Sequence, residues 1–400
     1  MNILDKSAIR PCTSCQMCGA VCNKQAISFR LNEEGFYRPY VDTDKCTNCG
    51  LCTTVCPKYD DNILMTSTDD LENIKLYAAS AKDNEVVNNT TSGGIADILA
   101  HQLFEDGYKV IGVIYDNKHN NAVHQVAENK ESLNLFRGSK YIQPYSAEAF
   151  RQVIKECRKE KYAVFGLPCQ IYALSRYLNR MNKREQCILI DLYCHGCPSM
   201  HIWEKVSEDI RTKKGVDSFD NVLWRSKLRG WGTYTLEIVK DGKRIYNSSP
   251  MHREFFDLFF CNHVLNESCN TCKFSGTLEY TDIRLGDFWG PEFCKHFRGM
   301  SGVSVVTQQG QELFKKISSQ IDALEKPTNA FYPYQSMYHE YQVNSNIRAR
   351  LMVALQDENA KINDIVNILP SHHSLSNKTK ILIKQLFYYL PIKFSTIIRK

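Results

Sequence analysis

The feature that most constrains this chain is a run of four cysteines that occurs twice at the same spacing: Cys12-x2-Cys15-x2-Cys18-x3-Cys22, then Cys46-x2-Cys49-x2-Cys52-x3-Cys56-Pro57. Eight of the 17 cysteines fall between positions 12 and 56 of a 400-residue chain. That density marks a small separate domain, 1–65, in which AISF and GFYRPYV read as two short strands. Cysteine makes up roughly 4% of the sequence, below the level of small disulfide scaffolds. The start of the chain has no apolar stretch of signal-peptide length, and no run reaches the span of a membrane helix. A cytoplasmic protein is therefore expected, with its clustered thiols committed to metal or redox chemistry.

This doubled run resembles the bacterial two-cluster ferredoxin, in which the fourth cysteine of each run ligates the other cluster. The resemblance implies two interlocked 4Fe-4S clusters, one on Cys12, Cys15, Cys18 and Cys56, the other on Cys46, Cys49, Cys52 and Cys22. Zinc, the alternative, usually takes its four ligands as two separated CxxC pairs. Asn23 departs from the resemblance, because proline commonly follows the fourth cysteine.

The formal net charge of +6 is confined to the tail, where residues 371–400 hold Lys378, Lys380, Lys384, Lys393, Arg399 and Lys400 and no acid. The remainder is neutral, so no nucleic-acid partner is expected. The tail also carries ILIKQLFYYLPIKFSTII, a composition suited either to a helix packed on the body or to peripheral contact with an anionic membrane.

Past a polar segment from Met65 to Asn73, KLYAAS, KVIGVIY, YAVFGLP and CILIDLYC read as strands alternating with helices at 95–105, 147–159 and 170–178. The expected fold is an α+β ferredoxin-like domain followed by an α/β domain, 74–325, with a mostly parallel sheet, and a C-terminal helical region, 326–400. Ligands of such sheets bind beyond the carboxyl ends of the strands. There lie Thr90-Thr91-Ser92-Gly93-Gly94, which opens a helix and suits a phosphate or is an ordinary cap with Ser92 as the capping residue, and Gly138-Ser139-Lys140-Tyr141. Five further cysteines share this geography: Cys169, Cys194, Cys197, Cys269 and Cys272. Zinc on the two CxxC pairs, a cluster on Cys169, Cys194, Cys269 and Cys272, and a reactive Cys169 thiol at a helix start all remain open from the residues alone.

The segments TSGGIADILA, RGSKYIQPY, VFGLPCQIYAL, DLYCHGCPS, SCNTCKF and DIRLGDFWG resemble the coenzyme F-420 hydrogenase/dehydrogenase beta-subunit family, in the arrangement of stand-alone members associated with polysaccharide-biosynthesis loci. The resemblance implies FAD and a third 4Fe-4S cluster on Cys169, Cys194, Cys269 and Cys272. Thr91, Ser92, Gly93 and Gly94 become flavin-phosphate ligands, and Lys140, Tyr141 and Gln143 contacts to flavin or substrate. Cys197 departs from the family, which has an aliphatic residue there. Clusters move one electron and flavins can deliver two, so the expected function is an iron-sulfur flavoprotein oxidoreductase acting on a small molecule, fed by a redox partner such as ferredoxin. F-420 as hydride partner, or a non-catalytic electron-transfer subunit, are the alternatives. His195 is the candidate proton donor, Asp287 and Trp289 candidate ligand-orienting residues, and Arg229, Gly230 and Trp231 line either a substrate pocket or an exposed hairpin.

Overall fold

The structure is a computed structural model that describes residues 1–63, 65–293, 296–336, 340–372 and 379–383. The N-terminal segment forms a hairpin of β1 (Ile27–Leu31) and β2 (Tyr37–Val41), paired antiparallel between the two cysteine runs. The turn that joins them needs Gly35, whose φ of +78 is readily adopted only without a side chain.

Nine strands then build one sheet: β3 (Lys75–Ala81), β4 (Lys109–Asp116), β5 (Asn121–Val126), β6 (Pro144–Tyr145), β7 (Tyr162–Phe165), β8 (Cys187–Leu192), and, after an excursion, β12 (Ile283–Asp287), β13 (Ser301–Val305) and β14 (Ile321–Glu325). Their order is β14-β3-β13-β12-β8-β7-β4-β5-β6. The run β12-β8-β7-β4 is parallel, as βαβ crossovers through the helices Ala147–Glu156 and Pro168–Arg180 require. The flanks pair antiparallel through β5, β13, β3 and β14, so the parallel arrangement expected from the strand-helix alternation occupies the centre. Buried on both faces, β7 (YAVF) and β8 (CILIDL) are almost continuously apolar.

The excursion between β8 and β12 carries a second, antiparallel sheet of β9 (Asn221–Ser226), β10 (Thr235–Lys240) and β11 (Lys243–Asn247). It packs with the helix Met200–Lys214 and the aromatic helix Glu254–Phe260 around Trp203, Trp224 and Phe256. The C-terminal helices Ser345–Gln356 and Ile362–Val366 bury Leu351, Leu355 and Ile365 in that same core. Of the basic tail, residues 373–378 and 384–400 lie outside the described residues. Among the described residues no helix is long and apolar enough to cross a membrane.

The cysteine-rich segment shares its core with the sheet. Met17, Val21, Ile27 and Val55 belong to one apolar cluster with Phe150, Val153, Ile171 and Leu174. Met17 and Val21 are fully buried, each contributing about 1.5–3 kcal/mol by the usual value for such side chains. Polar contacts close the seam: Arg151 Nη2 donates to the Gly19 carbonyl at 3.2 Å, and Asp60 accepts from both Tyr172 and Arg176 on the helix Pro168–Arg180.

Candidate functional site

The two cysteine runs are shaped by the same backbone device. Ser14 and Gln16 in the first and Asn48 and Gly50 in the second all take left-handed φ values, 60, 64, 53 and 80, before the short helices Met17–Ala20 and Leu51–Thr54. A left-handed residue other than glycine costs roughly 1–2 kcal/mol. Gln16 therefore carries a strain that its counterpart Gly50 avoids. The turns aim backbone amides at sulfur: Ser14 N donates to Cys12 Sγ and Ala26 N to Cys22 Sγ, both at 3.4 Å.

Electrostatic influence reaches from each cysteine run into the other. Cys18 is acted on by Cys56, Cys15 and Cys12, and more weakly by Cys52; Cys52 is acted on by Cys49 and Cys22. Burial, with the repulsion of neighbouring sulfurs, pushes the Cys15 thiol up to about 11 and Cys18 and Cys56 higher still. Buried thiols so crowded hold their ligating, deprotonated form only against a compensating cation, which cluster iron would supply. The donor set of the two runs, eight thiols, fits two 4Fe-4S clusters.

The remaining candidate cysteines converge on one cavity beside the first group. Cys169 follows Pro168 in the first turn of the helix Pro168–Arg180, Cys194 and Cys197 sit in the loop after β8, Cys269 on the short helix Glu267–Asn270, and Cys272 just past it. All five line the cavity together with Cys15, Ser14, Gln143 and His195. Burial is the largest cause of the upward shift of each thiol, with Cys269 reaching about 12; Cys169 also feels Cys15, Cys272, Cys194 and Cys269.

Cys197 N donates to Cys269 Sγ at 3.4 Å, so Cys197 contributes its amide to a neighbouring sulfur as well as its own thiol. Among the described residues no group of three or more His, Cys, Asp or Glu side chains is placed around a single metal ion, at this cavity or at the two N-terminal runs, so both zinc and a cluster stay open for the five cysteines. Arg284 braces this wall, donating to Asp191 and to the carbonyls of Phe274 and Ser275 just beyond Cys272.

His195 is held on the rim. Its Nε2 donates to Asn262 Oδ1 at 2.8 Å, Nδ1 lies 3.1 Å from the Tyr341 hydroxyl, and its ring packs against Phe259 and Phe260. Gln143 faces the cysteine-rich segment, donating to the Ser14 carbonyl at 3.2 Å and accepting from Tyr37 N at 3.3 Å.

The other candidate binding residues gather away from that seam. Gly94, with φ +87, is the cap of the helix Ile95–Glu105, and no side chain caps it. Ser92 instead donates to the Met300 carbonyl at 2.9 Å, so it is not the capping residue. Glycine is required at 93, where a Cβ would stand 2.3 Å from the Ala79 carbonyl oxygen. Thr91 Oγ1 accepts from Ser139 N at 2.7 Å, which joins this loop to Gly138–Tyr141. Within that second loop Lys140 donates to the carbonyls of Leu135 and Arg137, both at 2.9 Å, and burial lowers its pKa to about 7.

Two cations absent from the sequence reading complete this group. Lys227 reaches the Ser92 carbonyl at 2.5 Å, and burial lowers it to about 7. Arg225 donates to Tyr141 at 3.0 Å and Asp287 at 2.8 Å, beneath Tyr234. Asp287 in turn accepts from Trp231 Nε1 at 2.9 Å, and Trp231 stacks on Trp289 with ring centroids 4.3 Å apart. Trp231 is buried, which corrects the exposed-hairpin reading of RGWGTY. The signal for Arg225 and Lys227 was the cation-rich RSKLRGW itself.

Comparison with known proteins finds three matched stretches. Residues 11–59 and 38–96 match two descriptions of a 4Fe-4S dicluster domain. Residues 159–329 match the C terminus of the coenzyme F420 hydrogenase/dehydrogenase beta subunit. The chain thus pairs a stretch similar to a 4Fe-4S dicluster domain with one similar to the C terminus of that beta subunit. The beta-subunit match holds Cys169, Cys194, Cys269 and Cys272, whereas the Thr91–Gly94 and Lys140–Gln143 loops precede it. The matches support an iron-sulfur protein of oxidoreductase type. A chain in the solved F420-reducing [NiFe] hydrogenase complex from Methanosarcina barkeri is similar at 17% identity, over 79% of this chain and 97% of that one, with a TM-score of 0.45. No curated protein matches the chain.

Proposed function

We propose that this protein is an iron-sulfur flavoprotein oxidoreductase that collects single electrons on the two ferredoxin clusters, passes them through a third cluster on Cys169, Cys194, Cys269 and Cys272, and uses bound FAD to reduce a small molecule by two electrons. The observation that carries this reading is the cavity at which Cys15 of the dicluster module meets all five cysteines of the family domain. A site for electron arrival opens directly onto a site that supplies them.

FAD, when bound, would supply the conversion between one-electron and two-electron chemistry. Thr91, Ser92, Gly93 and Gly94 would take its phosphates at the uncapped start of the helix Ile95–Glu105, with Lys227 adding charge. Lys140 and Tyr141 flank the same group, and His195 stands at the cysteine cavity with a ring able to hand over a proton. The partner would be a low-potential carrier such as ferredoxin, the setting would be the cytoplasm, and a role in polysaccharide biosynthesis agrees with the arrangement of its domains. Division at 1–65, 74–325 and 326–400 follows this assignment.

The experiment is anaerobic turnover by the protein alone. Reduced ferredoxin or dithionite should bleach bound flavin at its visible band and sustain product formation in a substrate screen. Activity only with F-420 as hydride partner, or only with a second polypeptide, would replace this reading by one of the two alternatives.

A further inference from the structure

We propose that Gln16, Ser146 and Gln170 form a positioning bridge that fixes Cys15 against Cys169 and thereby sets the rate at which electrons pass from the dicluster module to the family domain; the inference rests on the three-cluster reading above. Each glutamine directly follows one of the two cysteines in sequence. Gln16 Oε1 accepts from Ser146 N at 2.7 Å and from Ala147 N at 3.1 Å, while its Nε2 donates to the Pro144 carbonyl at 3.2 Å. Gln170 Nε2 donates to Ser146 Oγ at 2.9 Å, and its Oε1 accepts from Leu167 N at 2.9 Å. One serine thus joins both neighbours of the facing thiols.

The bridge is buried at Gln16, Ser146 and Gln170 alike. His124, also buried, must donate from Nε2 to the Phe165 carbonyl at 3.0 Å, which leaves Nδ1 to accept from Ser146 Oγ at 2.9 Å, with the Pro144 carbonyl at 3.3 Å as the hydroxyl's other acceptor. A satisfied buried network specifies one geometry. The backbone points the same way: Gln16 occupies a left-handed position that its counterpart Gly50 fills with glycine, and a strained residue persists where its surroundings hold it for a purpose. Docking itself does not need the bridge, since Met17 and Val21 bury against Phe150 and Val153 independently. What the bridge adds is a fixed separation. The step it governs moves one electron from the first site to the third, with no bond made or broken and no proton transferred.

The test uses the full chain, purified anaerobically, as wild type and as Gln16→Met and Ser146→Ala. Iron content, electron-spin coupling between the reduced clusters, and the rate of electron arrival at the third site after rapid reduction are compared. Both variants should keep wild-type iron, show weakened coupling, and relay at least about fivefold more slowly, as expected when a reacting pair loses its fixed placement. Ser146→Ala keeps the amide bond to Gln16, so it decides the matter if Gln16→Met loses iron. Wild-type coupling and rate in Ser146→Ala overturn the inference while leaving the three-cluster reading intact. Absence of a third iron signal from the wild-type protein overturns that reading, and the inference with it.

Discussion

Arg284 and Asp191 meet fork to fork across the neighbouring strands β12 and β8, with Nη2 to Oδ2 at 2.6 Å and Nε to Oδ1 at 2.8 Å, and neither side chain reaches solvent. Because the same guanidinium also holds the carbonyls of Phe274 and Ser275, the pair couples the centre of the sheet to the segment that carries Cys272.

Removing one partner of such a pair strands the other as a buried charge. Arg284→Met is expected to cost about 3–5 kcal/mol of stability. Denaturation followed by far-ultraviolet circular dichroism measures it, and iron analysis of the same sample should show selective loss of metal from the Cys272 site. A change below about 1 kcal/mol would mean that the pair is not the brace described here.

Cys169→Ser should remove the third cluster's signal and slow flavin reduction by reduced ferredoxin at least about tenfold, while the visible spectrum of the two N-terminal clusters persists, since only those retain all their thiolates. Unchanged iron and unchanged flavin reduction would take Cys169 out of the ligand set.

Lys227→Met tests the candidate flavin loop, where a cation contacts the Ser92 carbonyl. FAD affinity measured by fluorescence quenching should fall about tenfold, equivalent to roughly 1.4 kcal/mol. The same affinity in the variant would move the phosphate contacts elsewhere.

Stability should also respond to acid through His124, which burial holds neutral with its pKa lowered from 6.5 to about 4. Between those values the unfolded chain binds the proton and the folded chain does not, so stability falls as pH drops through 6.5 towards 4. From pH 7 to pH 5 the loss from this residue is about 2 kcal/mol. Denaturation of wild type and His124→Gln over this range reads the difference: the variant should lose about that much less, and parallel curves would assign the acid sensitivity to other groups.

The dicluster character of the two cysteine runs was legible, because within each run every cysteine lies within four residues of the next and that spacing is a local signal. So were β3, β4, β7 and β8, whose apolar runs report burial directly. The antiparallel flanks were not, because β13 (SGVSV) and β14 (IDALE) carry weak patterns and owe their places to pairing with β3. The five cysteines of the third site could be picked out, but not their meeting with Cys15, which depends on how the module docks. Gln143 illustrates the limit: its near neighbour Tyr141 accepts from Arg225, while its own amide faces Ser14. Gln16 and Gln170 gave no signal at all, since a buried glutamine is recognised by its partners and not by its sequence context.

The central claim, that three clusters form one relay, is tested most directly by iron and acid-labile sulfide per chain in anaerobically purified protein. The account predicts about twelve of each, from three clusters of four. About eight irons and sulfides with one zinc per chain would contradict it, leaving two ferredoxin clusters beside a structural zinc site.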